Sequence, residues 1–208
     1  MRLGLFGGTF DPIHLGHLIL AESCREALAL DEVWFVVAGQ PPHKGGDRTA
    51  VADRIEMVRI AIAGHPNFRV SEIEANSPGP HYTYQTLEAT ARDRPDDSLF
   101  FLIGGDSLID LPHWREPGRV MELATVVAVG RPGFEEPAAD LMRPILDQAP
   151  RARPIERVIA PQIEIASRDL RRRVAEGRSL RYLVPRGVEA FIKARGLYRP
   201  RSDPGDRE

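Results

Sequence analysis

Apolar residues along this chain fall into two patterns: short unbroken runs, and longer stretches where they return every three or four positions. The runs LGLF (3 to 6), VWFVV (33 to 37), FRV (68 to 70), LFFLI (99 to 103), TVVAV (125 to 129) and RVIA (157 to 160) have the length and composition of strands buried on both faces. Between them, the spacing predicts helices over residues 16 to 29, 50 to 63, 83 to 92, 137 to 147, 167 to 175 and 186 to 195. Strands that alternate with helices pair in parallel, because each helix carries the chain back to the same edge. The expected fold class is α/β: one Rossmann-like domain, a doubly wound parallel sheet with helices on both faces.

The domain is read over residues 1 to 199, and the polar stretch PRSDPGDRE (200 to 208) as a flexible tail. A chain of 208 residues suits one well-buried core better than two. Ligands of such sheets bind beyond the carboxyl ends of the strands. Four Gly- or Pro-rich loops follow four of the predicted strands to that end: GGTFDPIHLG, AGQPPHKGG, GGDSLIDLPHW and GRPG.

Composition adds less. At 42% hydrophobic, 28% charged and a formal net charge of -2, the chain belongs with ordinary globular proteins, and neither a nucleic-acid nor a membrane partner is expected. The charge is unevenly spread. Residues 151 to 199 hold twelve Arg and one Lys against five acids, net +8, while residues 1 to 150 hold 13 bases against 22 acids, net -9. The C-terminal third is either a solvated basic face or a surface turned to an anion. The single cysteine, Cys24, has no partner for an internal disulfide, which points to a reducing, cytoplasmic setting. No run approaches the roughly 20 apolar residues of a membrane span, and no signal-peptide core opens the chain. Monomer and homodimer are both compatible with the pattern.

The chemistry starts after the first strand. Gly7 and Gly8 let the backbone turn and approach a ligand, Pro12 restricts the loop, and a helix begins near Gly16 with its N-H groups and positive dipole end toward the loop. His14 and His17, three apart at the helix start, can turn both rings to one ligand, with phosphate the natural choice. The stretch has neither the G-x-G-x-x-G of dinucleotide-binding folds nor the P-loop spacing, which disfavours an oxidoreductase or a P-loop kinase. A second anion-compatible segment is IEIASRDLRRRV (163 to 174). There Ser167 reads as a helix N-cap and Arg171, one turn on, faces the same side.

GGTFDPIHLGH resembles the H-x-G-H motif of the nucleotidyltransferases that pass AMP or CMP from a nucleoside triphosphate to a phosphate acceptor, and IEIASRDLR resembles their C-terminal I-S-S-T-x-[IV]-R. Ala166 and Arg168 stand where that motif has serine and threonine. PPHK (41 to 44), GPHYTYQTL (79 to 87), GGDSLIDLPHW (104 to 114), GRPG (130 to 133) and YLVPRGVEAFIKARGLY (182 to 198) are similar to successive motifs of the bacterial nicotinate-nucleotide adenylyltransferases. Arg115 departs from the aromatic residue common at its place.

The resemblance implies adenylyl transfer from ATP to nicotinate mononucleotide, with Mg2+ accompanying ATP. It implies an ATP site of Gly7, Gly8, Thr9, Phe10, His14, His17, Asp106, Ser167 and Arg171, and a catalytic set of His14, His17 and Arg171 with Lys44 from the acceptor side. The implied acceptor site is Lys44, Thr86, Trp114 and Arg131, with Trp114 stacking the pyridine ring. Read from residue chemistry alone, Asp106 serves equally as a helix cap or a ribose ligand, and Trp114 as core or platform. The sequence shows no acidic metal cage, so the ion is expected on phosphates and water. Other acceptors, nicotinamide mononucleotide or phosphopantetheine, and a non-catalytic nucleotide binder are the alternatives.

Overall fold

The computed structural model describes residues 1–39, 49–76, 79–130, 139–161 and 163–200, with Asp106 described in its backbone only. Its strands are β1 (Arg2–Gly8), β2 (Glu32–Val37), β3 (Phe68–Ser71), β4 (Ser98–Gly104), β5 (Thr125–Gly130) and β6 (Glu156–Ile159). The helices are α1 (Leu15–Ala27), α2 (Val51–Ile62), α3 (Thr83–Asp93), α4 (Gly105–Asp110), α5 (Pro117–Leu123), α6 (Ala139–Gln148), α7 (Ser167–Ala175) and α8 (Arg186–Arg195). The strands form one sheet in the order β3-β2-β1-β4-β5-β6, every pair parallel. Expected strands and helices all appear, with ends shifted by a residue or two. GDSLID (α4) and PGRVMEL (α5) are additional helices, too short to show a period in sequence.

Period-two alternation along the strands builds two cores. Phe6, Phe35, Val37, Phe100, Leu102 and Val129 point to one face and pack with Cys24, Met57, Leu170 and Ile192, which places α1, α2, α7 and α8 there. Leu3, Leu5, Val36, Phe101, Ile103 and Ala128 point to the other and pack with Leu87, Leu108, Met121 and Met142 of α3 to α6. Both faces are covered, which explains why the strands read as continuous apolar runs.

Chain order reverses between β1 and β4, the two central strands. The loops after them diverge to opposite faces and leave a crevice at their carboxyl ends, the usual ligand position in such sheets. The expected flexible tail lies, apart from Pro200, outside the described residues.

Candidate active site

A cavity of about 890 Å3 opens at that reversal point, lined by Gly7 and Gly8 of β1, His14 and His17 at the start of α1, Thr86 of α3, Trp114, Arg115 and Ser167 among others. Seven expected site residues, Gly7, Gly8, His14, His17, Thr86, Trp114 and Ser167, thus face one space. Thr9, Phe10 and Arg171 do not line it, Lys44 and Arg131 lie outside the described residues, and Asp106 is the second residue of α4.

The turn after β1 is not made by its glycines. Gly7 and Gly8 belong to the strand, and the left-handed residue is Phe10, at φ 47°. Glycine is required at 8 for space: a Cβ there would sit 2.8 Å from the Phe10 ring. At 7 it would make only ordinary contacts. Phe10 itself is 1% exposed, its ring wedged among Phe6, Phe35 and His17, so its side chain serves the core.

His14 is the cap residue of α1 and His17 lies one turn in. Their rings stack at 3.6 Å between centroids with 23° between planes. The His14 amide donates to His17 Nδ1 at 3.2 Å, so a neutral His17 carries its proton on Nε2 and presents a donor there. Gly16 keeps the pair in place, since a Cβ on it would stand 3.1 Å from His14 Nδ1. That Nδ1 is buried and has no hydrogen-bond partner among the described residues, an uncommon expense for a polar atom.

Burial brings the His14 imidazole down from 6.5 to about 4. Burial, with the neighbouring His14 second, holds His17 well below 6.5. Both are therefore neutral donors and acceptors near pH 7. The unfolded chain takes up protons that the folded pair refuses, so this contribution makes stability rise with pH between about 4 and 6.5 and leaves it level above. The thermal midpoint is expected to fall on acidification through that window, and less steeply in His14→Gln. Equal slopes in the two proteins would show that His14 does not carry the effect.

The helix start is less open than its sequence suggests, because the Leu15 amide donates to the Leu183 carbonyl at 3.0 Å. Ser167 is the first residue of α7, and Ala166, not Ser167, holds the cap position. The Ser167 hydroxyl instead donates to the Pro12 carbonyl at 2.9 Å, and Arg171 Nη1 to the Asp11 carbonyl at 2.7 Å. The second basic segment thus grips the first loop directly.

At the other end of the cavity, Trp114 meets Phe101 edge-on at 6.0 Å and keeps part of its surface in the cavity. Thr86 is 9% exposed and its hydroxyl donates to Glu74 Oε1 at 2.8 Å. With that hydroxyl engaged, and the Gln85 and Thr86 amides donating to the Tyr82 carbonyl at 3.0 and 3.3 Å, the backbone donors left for a ligand at α3 are the amides of Thr83 and Tyr84.

Residues 5–173 match the family profile described as cytidylyltransferase-like. The chain belongs to that family. A curated relative from Thermomicrobium roseum, named "Probable nicotinate-nucleotide adenylyltransferase", is 50% identical over 202 residues, covering 95% of this chain and 92% of its own. One of the same name from Thermus thermophilus is 48% identical over 199 residues, covering 96% and 100%. The solved Plasmodium falciparum nicotinic acid mononucleotide adenylyltransferase complexed with NaAD superposes with a TM-score of 0.77 over 95% of this chain and 97% of that one, at 18% identity. At that identity the likeness is one of fold.

Two site-shaping residues of this cytidylyltransferase-like chain gave no signal in sequence. Arg54 sits on α2 with ordinary helical spacing, yet it is 2% exposed and its guanidinium donates to the carbonyls of Thr9 (2.9 Å), Ala38 (2.8 Å) and Thr49 (3.1 Å). Glu74, beside Thr86, lies in a segment that reads as polar loop.

Proposed function

We propose that this chain transfers the adenylyl group of ATP to nicotinate mononucleotide, forming nicotinate adenine dinucleotide and pyrophosphate in NAD biosynthesis. The observation that carries the reading is one cavity with a stacked, neutral His14–His17 pair at one end and Trp114 with the first turn of α3 at the other. The first end suits a polyphosphate and the second a flat, charged ring. The relatives' shared name supports the choice of acceptor.

An oxygen of the acceptor's 5'-phosphate attacks the α-phosphorus of ATP, and the bond from that phosphorus to the bridging oxygen of the β-phosphate breaks. Charge builds on the departing pyrophosphate, where His17 Nε2-H and the N-H of the His14 ring donate hydrogen bonds to it. Ser167 and Arg171 hold the loop that carries the histidines, and Arg171 with Lys44 and Arg131 adds positive charge around the phosphates. No protein nucleophile is needed. Cys24 is buried on the core side of α1, its thiol pushed up to about 12 by burial.

A divalent ion would arrive on ATP and be held by phosphate and water ligands; among the described residues no group of three or more His, Cys, Asp or Glu converges. Mg2+ bound so would neutralise phosphate charge. Asp106 at the start of α4 is assigned to the ribose, and Thr86, Trp114 and the Thr83 and Tyr84 amides to the pyridine ring. A cytoplasmic monomer or homodimer without nucleic-acid partners fits the chain; no helix among the described residues is long and apolar enough to cross a membrane.

Pyrophosphate release with ATP and Mg2+ tests the reading, nicotinate mononucleotide and nicotinamide mononucleotide being offered separately. The acid is expected to be preferred by about tenfold or more in kcat/KM, the worth of one hydrogen bond to a charged group. Preference for the amide would keep the reaction and overturn the acceptor. No release with either would overturn both.

A further inference from the structure

The mechanism above leaves unused a buried acid in the first loop and a tyrosine at the far end of the chain. Asp11 is 5% exposed, and its Oδ1 accepts a 2.6 Å hydrogen bond from the hydroxyl of half-buried Tyr198, 187 residues away. We infer that Tyr198 is a positioning residue for the transfer: through Asp11 it holds the loop of residues 9 to 14 in the register that presents His14 and His17 to the triphosphate. The inference rests on the reading of the site given above.

Three features support it. First, the chain is bent to make this contact. α8 ends in a left-handed Gly196, and Tyr198 itself adopts φ 64°, uncommon for a residue with a side chain. Phe10, which precedes Asp11, is left-handed as well, and its ring meets His17 edge-on at 5.1 Å. Such conformations persist where the surroundings over-determine them.

Second, the Tyr198 hydroxyl remains a donor. Burial first, then the Asp11 charge and its hydrogen bond, raise the phenol far above its usual range. Met57 Sδ lies 3.9 Å away. Third, the bond completes a set. Residues 167 to 198 hold the loop at the Pro12 carbonyl (Ser167), the Asp11 carbonyl (Arg171), the Asp11 side chain (Tyr198) and the Leu15 amide (Leu183). Of these, the Tyr198 bond is the one made to a charged loop side chain, and an acid at 11 left without that donor would seek water and draw the loop with it.

Tyr198→Phe keeps the ring and removes the bond. It is expected to lower kcat about tenfold, as a small displacement of catalytic groups does, with KM for nicotinate mononucleotide within about twofold. Hydrogen exchange of amides between residues 9 and 17 should quicken about tenfold, while exchange in the sheet stays as it was. Asp11→Asn, which keeps an oxygen for the hydroxyl, should stay within about threefold of the unaltered chain in kcat. Asp11→Ala removes the acceptor and gives the same two readouts should Tyr198→Phe not fold.

Unchanged kcat and unchanged loop exchange in Tyr198→Phe would overturn the inference. So would exchange that quickens throughout the sheet, since that is the signature of lost stability rather than lost position. If the unaltered chain releases no pyrophosphate, the proposed function fails, and faster loop exchange in Tyr198→Phe would still establish the hold on the loop.

Discussion

Replacing His17 by alanine should reduce kcat by about 10²- to 10³-fold, the usual worth of a preorganised donor to developing charge. The neutral imidazole has Nδ1 occupied by the His14 amide, so its Nε2 is the donor and its direction is set before substrate arrives. A donor fixed in this way gains most when charge moves onto the departing phosphates, so the loss belongs in kcat more than in KM for ATP. His17→Asn sharpens the test. Its oxygen can replace Nδ1 as acceptor for the His14 amide and keep the loop, but its amide group is shorter than the ring. It should therefore fold like the unaltered protein and lose nearly as much rate as alanine. A rate within about fivefold of the unaltered protein in either variant would remove His17 from the reaction.

Arg54→Met is expected to have the largest effect on stability. Methionine fills the volume of the arginine stem, but leaves the carbonyls of Thr9, Ala38 and Thr49 without the donors that the buried guanidinium gives them. Hydrogen bonds to a charged group are worth about 1.5–3 kcal/mol each, and part is recovered by relaxation, so a net loss of about 3 kcal/mol is expected. In a protein of this size that lowers the thermal midpoint by roughly 6–12 °C. Arg54→Lys should recover less than half, because one ammonium cannot span carbonyls arranged around a planar fork. Because Thr9 follows β1 and Ala38 follows β2, activity at a temperature where Arg54→Met remains folded should also fall. A midpoint within about 2 °C of the unaltered protein would show that the three carbonyls find other donors.

The site was legible where chemistry and local spacing coincide. His14, Gly16 and His17 are read from the four residues HLGH, whose spacing at a helix start lets the two rings meet; that they stack, at 3.6 Å, came from the structure. Reading failed where a role depends on a distant partner. Ser167 has the composition of a cap, yet its hydroxyl goes to Pro12, 155 residues away, because α7 packs its first turn against the β1 loop. Phe10, not a glycine, takes the left-handed turn, because its ring fills the space beside Phe6 and Phe35 that Gly8 leaves open. Thr86 offers its hydroxyl in sequence and has given it to Glu74 in the structure.

The sequence by itself determined the layered sheet, since continuous apolar strands separated by amphipathic helices admit few other ways to bury both faces. It also placed two glycines and two imidazoles around the loop after β1, the local arrangement on which the proposed phosphate chemistry rests. Tertiary structure alone decided the protonation of those imidazoles, which follows from the burial that α1 and the Phe10 ring impose. It alone decided that Arg54, Arg171 and Tyr198 converge on one loop, because hydrogen-bond partners separated by 45, 160 and 187 residues are set by packing and leave no periodic trace in the chain.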